Sequence, residues 1–205
     1  MTEPKPGLLR SPWFWAAVIG VVTVPLLRPL TRHIPDPPPI TGRIQPFELV
    51  DQDGAPFGSV QLAGRVWVGL AFFASCQTVC PPLLEAAKEI HDKWAGAGMD
   101  VTLVAVTVDP INDTPARLRD VAQKYGATPG RWVFLTGDEG AVRRLVVEGF
   151  GSVMEGAGNM VDIAHSTRFV LVDQRGNIRG TYGSDELGRD EVLHRAGHVL
   201  REHER

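Results

Sequence analysis

Two short apolar runs constrain this chain more than any other feature. "RVWVGLAFFA", residues 65–74, and "DVTLVAVTVD", residues 100–109, are almost unbroken in apolar side chains. They are too short to cross a bilayer as helices and lack the alternation of a half-exposed strand, so both read as strands buried on two faces. Between them Leu83, Leu84, Ala87, Ile90 and Trp94 fall close to one helical face, and Gly96 and Gly98 end the pattern. Two strands buried on both faces and joined by a helix imply a parallel pair inside a helix-covered sheet.

The rest of the chain from Arg43 extends that layout. "IQPFELVDQDGAPF" reads as a strand, an Asp-Gly turn and a return strand, with Phe47 and Leu49 on one face. Thr114 is the expected N-cap of a helix running from Pro115 to about Tyr125. "RWVFLTG" is a further strand, and Asp138 caps a helix carrying Val142, Leu145, Val146 and Phe150. "TRFVLVDQRGNIRGTY" predicts a hairpin about Gly176-Asn177, and Asp190 is expected to open a last helix to about Arg201. Residues 43–205 are thus expected to form a thioredoxin-like α/β three-layer sandwich around a central mixed β-sheet.

The N-terminal part differs in kind. "PWFWAAVIGVVTVPLL", residues 12–27, carries no charge and lies between Arg10 and Arg28, with Trp13 and Trp15 at one end. It is apolar on every face and is followed by no small-residue cleavage site, so an uncleaved transmembrane helix is expected after an N-terminal tail, residues 1–11. Lys5 and Arg10 precede it and Arg28, Arg32 and Arg43 follow it, which leaves orientation open. Residues 28–42, with prolines at 29, 35, 37, 38 and 39, read as an extended linker. A net charge of −3 without any Lys/Arg run argues against nucleic acid as a partner. No heptad pattern or surplus apolar face signals an obligate partner, so a monomer is expected.

"FFASCQTVCPPLL" holds both cysteines, Cys76 and Cys80, where a central strand runs into a helix. Pro81 and Pro82 place the helix start at about Cys80, where free backbone N–H groups favour thiolate over thiol. The spacing alone suits a redox pair, a metal clip, a structural disulfide or two inert buried thiols. A third ligand would discriminate among them. His33 lies in the linker, and His91, His194 and His198 read as solvated helix positions. His165 stands immediately before the apolar strand of the late hairpin, a connection that thioredoxin-like sheets bring beside such a cysteine loop. Asp162 could orient its ring, and Met154 and Met160 precede it, though methionine is more often packing. Asp109 and Asp113 read as cap and turn residues beside the second strand. "GFGSVMEGAG" follows a helix and not a strand, which argues against a phosphate loop.

"FASCQTVCPPLL", "VAVTVDPINDTPARLRDVAQKYG" and "DIAHSTRFVLVDQRGNIRGTY" together resemble the successive signature blocks of the SCO/SenC family, from about Pro46 to the C-terminus. That resemblance implies a membrane-anchored, thioredoxin-like protein that delivers copper for assembly of respiratory cytochrome oxidase. Cys76, Cys80 and His165 would be the copper ligands. The partner would be the oxidase's copper-bearing subunit or another copper chaperone. Many members carry Pro and Asp where this chain has Gln77 and Thr78, a change in loop rigidity and charge. The donor chemistry agrees: two soft thiolates favour Cu(I), and a neutral imidazole lets the same site hold Cu(II). A structural zinc site would want a fourth ligand, and there is no third cysteine. The alternative is a membrane-tethered thiol–disulfide oxidoreductase that keeps client copper-site cysteines reduced. It uses Cys76 and Cys80 as catalytic groups and has no need of His165. Either role places the domain outside the reducing cytosol, on the periplasmic side of a bacterial-type inner membrane crossed once.

Overall fold

The computed structural model describes residues 12–27, 37–151 and 167–203. Residues 12–27 and the unit beginning at Pro37 are separate compact units. In the first, Pro12–Leu27 is one α-helix (α1), with Trp13, Ile19 and Val21 exposed. The helix expected there is present, but its 16 residues fall short of a span: at 1.5 Å per residue it is about 24 Å long, against a hydrocarbon core of roughly 30 Å. No helix among the described residues is long and apolar enough to cross a membrane.

The second unit is built on an eight-stranded mixed sheet. Its strands are β1 (Gly42–Arg43), β2 (Glu48–Asp51), β3 (Pro56–Gly58), β4 (Val66–Phe72), β5 (Val101–Thr107), β6 (Trp132–Thr136), β7 (Arg168–Val172) and β8 (Asn177–Gly183). They lie in the order β1-β8-β7-β4-β5-β6-β2-β3. The central strands β4, β5 and β6 are parallel, and β7, β8, β1, β2 and β3 extend the sheet antiparallel on either side. Every residue of β4, β5 and β6 is buried, as the unbroken apolar runs require.

The alternation of side chains along β4 divides the core in two. Val66, Val68, Leu70 and Phe72 face α3 (Cys80–Gly96), α4 (Pro115–Tyr125) and α6 (Glu186–His203). Trp67 and Ala71 face the short helix α2 (Ser59–Leu62) and α5 (Glu139–Arg143). These two helical layers around one sheet make the thioredoxin-like α/β sandwich expected from the sequence. Gly69 lies between Trp67 and Ala71 because the Phe150 ring occupies the place of a side chain. A Cβ there would come within 2.5 Å of that ring.

Most helix ends follow the signals in the sequence. Thr114 Oγ1 accepts from the Arg117 N–H at 3.4 Å, Pro115 is the first residue of α4, and Gly126 closes it in the left-handed conformation. Asp138 accepts from the Ala141 N–H at 2.9 Å. The helix it caps then widens to a π-helical segment, Arg144–Gly149, which no spacing in the sequence announced. The last helix opens four residues before the expected Asp190, with Asp185 accepting from the Gly188 N–H. Gly188 sits inside α6, where a Cβ would come within 2.3 Å of the Gly183 carbonyl oxygen. The expected linker also ends sooner, since Gly42 and Arg43 pair with Ile178 and Asn177 as an edge strand.

His91 corrects the reading of α3. It is 5% exposed rather than solvated, and its ring packs 5.5 Å from that of Trp132. Positions 84, 87, 91 and 94 share one helical stripe, so packing overrides the polarity of the imidazole. His194 is exposed and His198 is half-buried, on the outer side of α6.

Candidate metal centre

The parallel strand β4 stops at Phe72, where the Val108 N–H donates to its carbonyl at 2.8 Å. The chain then turns over the C-terminal edge of the sheet and enters α3 at Cys80. This is where open α/β sheets gather reactive groups, since strand ends and helix starts converge there. Both cysteines are free thiols; Cys76 is half-buried and Cys80 is 2% exposed.

The double proline directs the loop's hydrogen bonding. A helix start leaves its first N–H groups unpaired, but Pro81 and Pro82 have none to offer. The Cys80 N–H, just before them, donates to Cys76 Sγ at 3.3 Å. The Thr78 hydroxyl lies 3.9 Å from the same sulfur. Desolvation pushes the Cys76 thiol up, but hydrogen bonds from the Cys80 thiol and from the N–H groups of Thr78, Cys80 and Val79 outweigh it. The net result is a fall to about 7. Cys80 moves the other way, pushed up to about 12 by burial, by its hydrogen bond to Cys76 and by the negative charges of Cys76 and Asp113. One sulfur is therefore poised as an accessible nucleophile, and the other is a buried proton holder beside it.

That asymmetry gives a direct expectation. With the reduced chain, iodoacetamide should label one thiol, Cys76, with a rate that rises through pH 7 as the thiolate forms. Cys80 should stay unlabelled across the same range. Mass mapping of the labelled peptides against pH checks it. Equal labelling of both cysteines would contradict the geometry.

Asp113 was read from the sequence as a cap or turn residue, and it is something else. Thr114 caps α4, while the fully buried Asp113 carboxylate accepts from the Ala74 N–H at 2.8 Å and from Thr107 Oγ1 at 2.5 Å. Thr107 in turn accepts from the Asp109 N–H at 3.0 Å. Asp113 thus latches the cysteine loop to the loop after β5, with the Arg117 guanidinium 3.6 Å from its other oxygen. The available signal was Thr107, a hydroxyl at the end of a strand expected to be buried, where it calls for a partner. Asp109 does behave as a turn residue, its carboxylate held by the Asn112 side-chain amide at 2.9 Å and 3.0 Å.

His165 lies outside the described residues, as do Asp162, Met154 and Met160. Among the described residues, no group of three or more His, Cys, Asp and Glu side chains is placed to hold a metal ion. Of the three expected ligands, Cys76 and Cys80 are among the described residues.

The profile of the SCO1/SenC family matches residues 38–201. The chain belongs to the SCO1/SenC family. It is 28% identical over 157 residues to the SCO1 protein homolog of Bacillus subtilis, covering 76% of this chain and 81% of that one. A protein of Stutzerimonas stutzeri named for copper binding is 30% identical over 159 residues, 76% of this chain and 71% of that one. Among solved structures, the SCO1/SenC family lipoprotein of Bacillus anthracis superposes with a TM-score of 0.70 at 28% identity, over 79% of this chain and 97% of that one. Yeast Sco1 with copper bound has a TM-score of 0.63 at 22% identity, over 80% and 98% of the two chains, a likeness of fold alone.

Proposed function

We propose that this chain is a copper metallochaperone, a binding protein rather than a catalyst. It holds copper through Cys76, Cys80 and His165 and passes it to the copper centre of a respiratory cytochrome oxidase. The observation that carries this reading is the pair of free thiols at a strand-to-helix turn, one ionised near neutrality and one buried beside it. The donor set fits copper: two soft sulfurs suit Cu(I), and an imidazole adds the nitrogen that Cu(II) prefers. Family membership and the likeness to a protein named for copper binding support the same cargo.

In this reading the residues divide the work. Cys76, lightly covered, is first to meet incoming metal, already half ionised near pH 7. Cys80 closes on it and must give up its proton to do so, which ties retention of the cargo to proton exchange. Asp113 fixes the loop through Ala74 so that the two sulfurs stay within reach of one ion. The client would be the oxidase's copper-bearing subunit or another copper chaperone, and the working form a monomer.

Residues 12–27 attach the chain to a membrane. The uncharged helix α1, with exposed apolar side chains, is a single-pass anchor; a short span is accommodated by local thinning of the bilayer and by its flanking arginines. The periplasmic side is the compartment in which exposed paired thiols can serve copper transfer.

A second reading, thiol–disulfide oxidoreductase, is favoured by the same low Cys76 thiol. His165→Ala separates the two. The variant should lose most Cu(II) affinity and keep most Cu(I) affinity in titrations of the reduced full chain in detergent. An oxidoreductase would instead keep its exchange rate and bind no stoichiometric copper before or after the change.

A further inference from the structure

A cavity of about 290 Å³ opens directly beside the thiols. It lies between the start of α3 and the outer face of α4. Phe73, Pro81, Leu84, Val121 and Tyr125 form an apolar floor that reaches to Cys76 and Cys80. Leu84 and Tyr125 are each 4% exposed, and Phe73, Pro81 and Val121 are half-buried. The ionisable groups at its rim are Arg117, Asp120 and Lys124, all exposed and all from α4. The volume is at the foot of the roughly 300–1,000 Å³ range of cofactor and drug-sized sites. It suits one or two side chains of a larger partner.

The rim charges select that partner. The whole chain carries a net charge of −3, yet this rim has two cations and one carboxylate. Lys124 Nζ rests 5.2 Å from the Tyr125 ring centroid and pairs with no carboxylate among the described residues. Arg117 turns its Nε toward the buried Asp113, which holds the guanidinium at the rim in one orientation. An apolar floor leading to a reactive sulfur, with a positive edge, matches an extended segment carrying a cysteine and a nearby carboxylate.

We propose that this groove seats an acidic, cysteine-bearing peptide segment of the client, with its carboxylate on Arg117 and Lys124 and its sulfur directed at Cys76. The inference rests on the metallochaperone reading and names the chemistry of the protein that receives the metal. The floor orients the segment, and the rim discriminates by charge. Because both cations are exposed, the preference is modest and salt-sensitive.

The test uses the reduced full chain in detergent and two eight-residue probe peptides. Each carries one cysteine as its thionitrobenzoate mixed disulfide, flanked by Glu in one and by Gln in the other. Cys76 thiolate attacks the peptide sulfur, a new peptide–Cys76 disulfide forms, and thionitrobenzoate leaves with the electron pair of the broken bond, giving an absorbance rate. The Glu peptide should react about threefold to tenfold faster than the Gln peptide at low salt, with the gap closing as salt is raised. Lys124→Gln should shrink the gap and Lys124→Glu should reverse it, while the rate with a small neutral disulfide stays the same. Arg117→Gln combined with Lys124→Gln should abolish it. Equal rates for the two peptides on the wild-type chain, or a preference that survives the double variant, would overturn the proposal. Copper titration of the same samples keeps the two ideas apart: absence of stoichiometric copper on the wild type sinks the metallochaperone reading, whatever the peptide rates.

Discussion

Cys80→Ser in the full chain is expected to weaken copper binding by more than about a hundredfold while leaving the first step of thiol exchange largely intact, since even outer-shell partners of a metal are worth ~10–100-fold. The buried sulfur is half of the described donor set, and a hydroxyl is a poor replacement for a thiolate toward Cu(I). Cys76 remains, half-buried and still receiving the N–H of residue 80, with the serine hydroxyl as donor in place of the Cys80 thiol, so its own thiol stays lowered. Cys76→Ser should behave differently. It should lose copper to the same degree and should also lose exchange, because the remaining sulfur is 2% exposed and holds its proton far above neutral pH. The measurement is copper titration and disulfide-exchange rate on each variant. Two variants equally impaired in exchange would contradict the division of roles between the sulfurs.

Asp113→Ala is expected to destabilise the fold by about 3 kcal/mol, because it leaves the Ala74 N–H and the Thr107 hydroxyl without their acceptor and each such loss costs ~1–3 kcal/mol. For a chain of this size that corresponds to a melting temperature lower by roughly 6–12 °C. Asp113→Asn separates the latch from the charge. The amide oxygen can still accept from Ala74, so most of the stability should return. The negative charge that helps raise the Cys80 thiol is gone, so that thiol should ionise at a lower pH than the wild type's value of about 12. Thermal melts and ultraviolet thiolate titrations of both variants check the two effects. An alanine variant as stable as the wild type would show that Asp113 is no latch.

What could be read from the sequence were features with a local physical cause. The buried strands β4 and β5 announce themselves by unbroken apolar runs. Thr114-Pro115 and Asp138 mark helix starts through their own side chains. Cys76 and Cys80 stand out because the prolines behind them fix where α3 begins. The misread residues depend on partners far away in the chain. Asp113 is next to a helix start in sequence, but its acceptor role is set by Ala74, 39 residues earlier. His91 is polar by type and buried because Trp132 covers it. The groove beside the thiols has the same origin, since its floor joins α3 to α4 and neither segment shows it alone.

The central claim is that Cys76 and Cys80 together hold copper. Copper K-edge absorption of the reduced full chain loaded with one equivalent of Cu(I) measures this directly. The account predicts a first shell containing two sulfur scatterers, reduced to one in Cys80→Ser and to none in the double Cys76→Ser, Cys80→Ser variant. A wild-type spectrum whose first shell holds only nitrogen and oxygen, or one unchanged in the double variant, would contradict it.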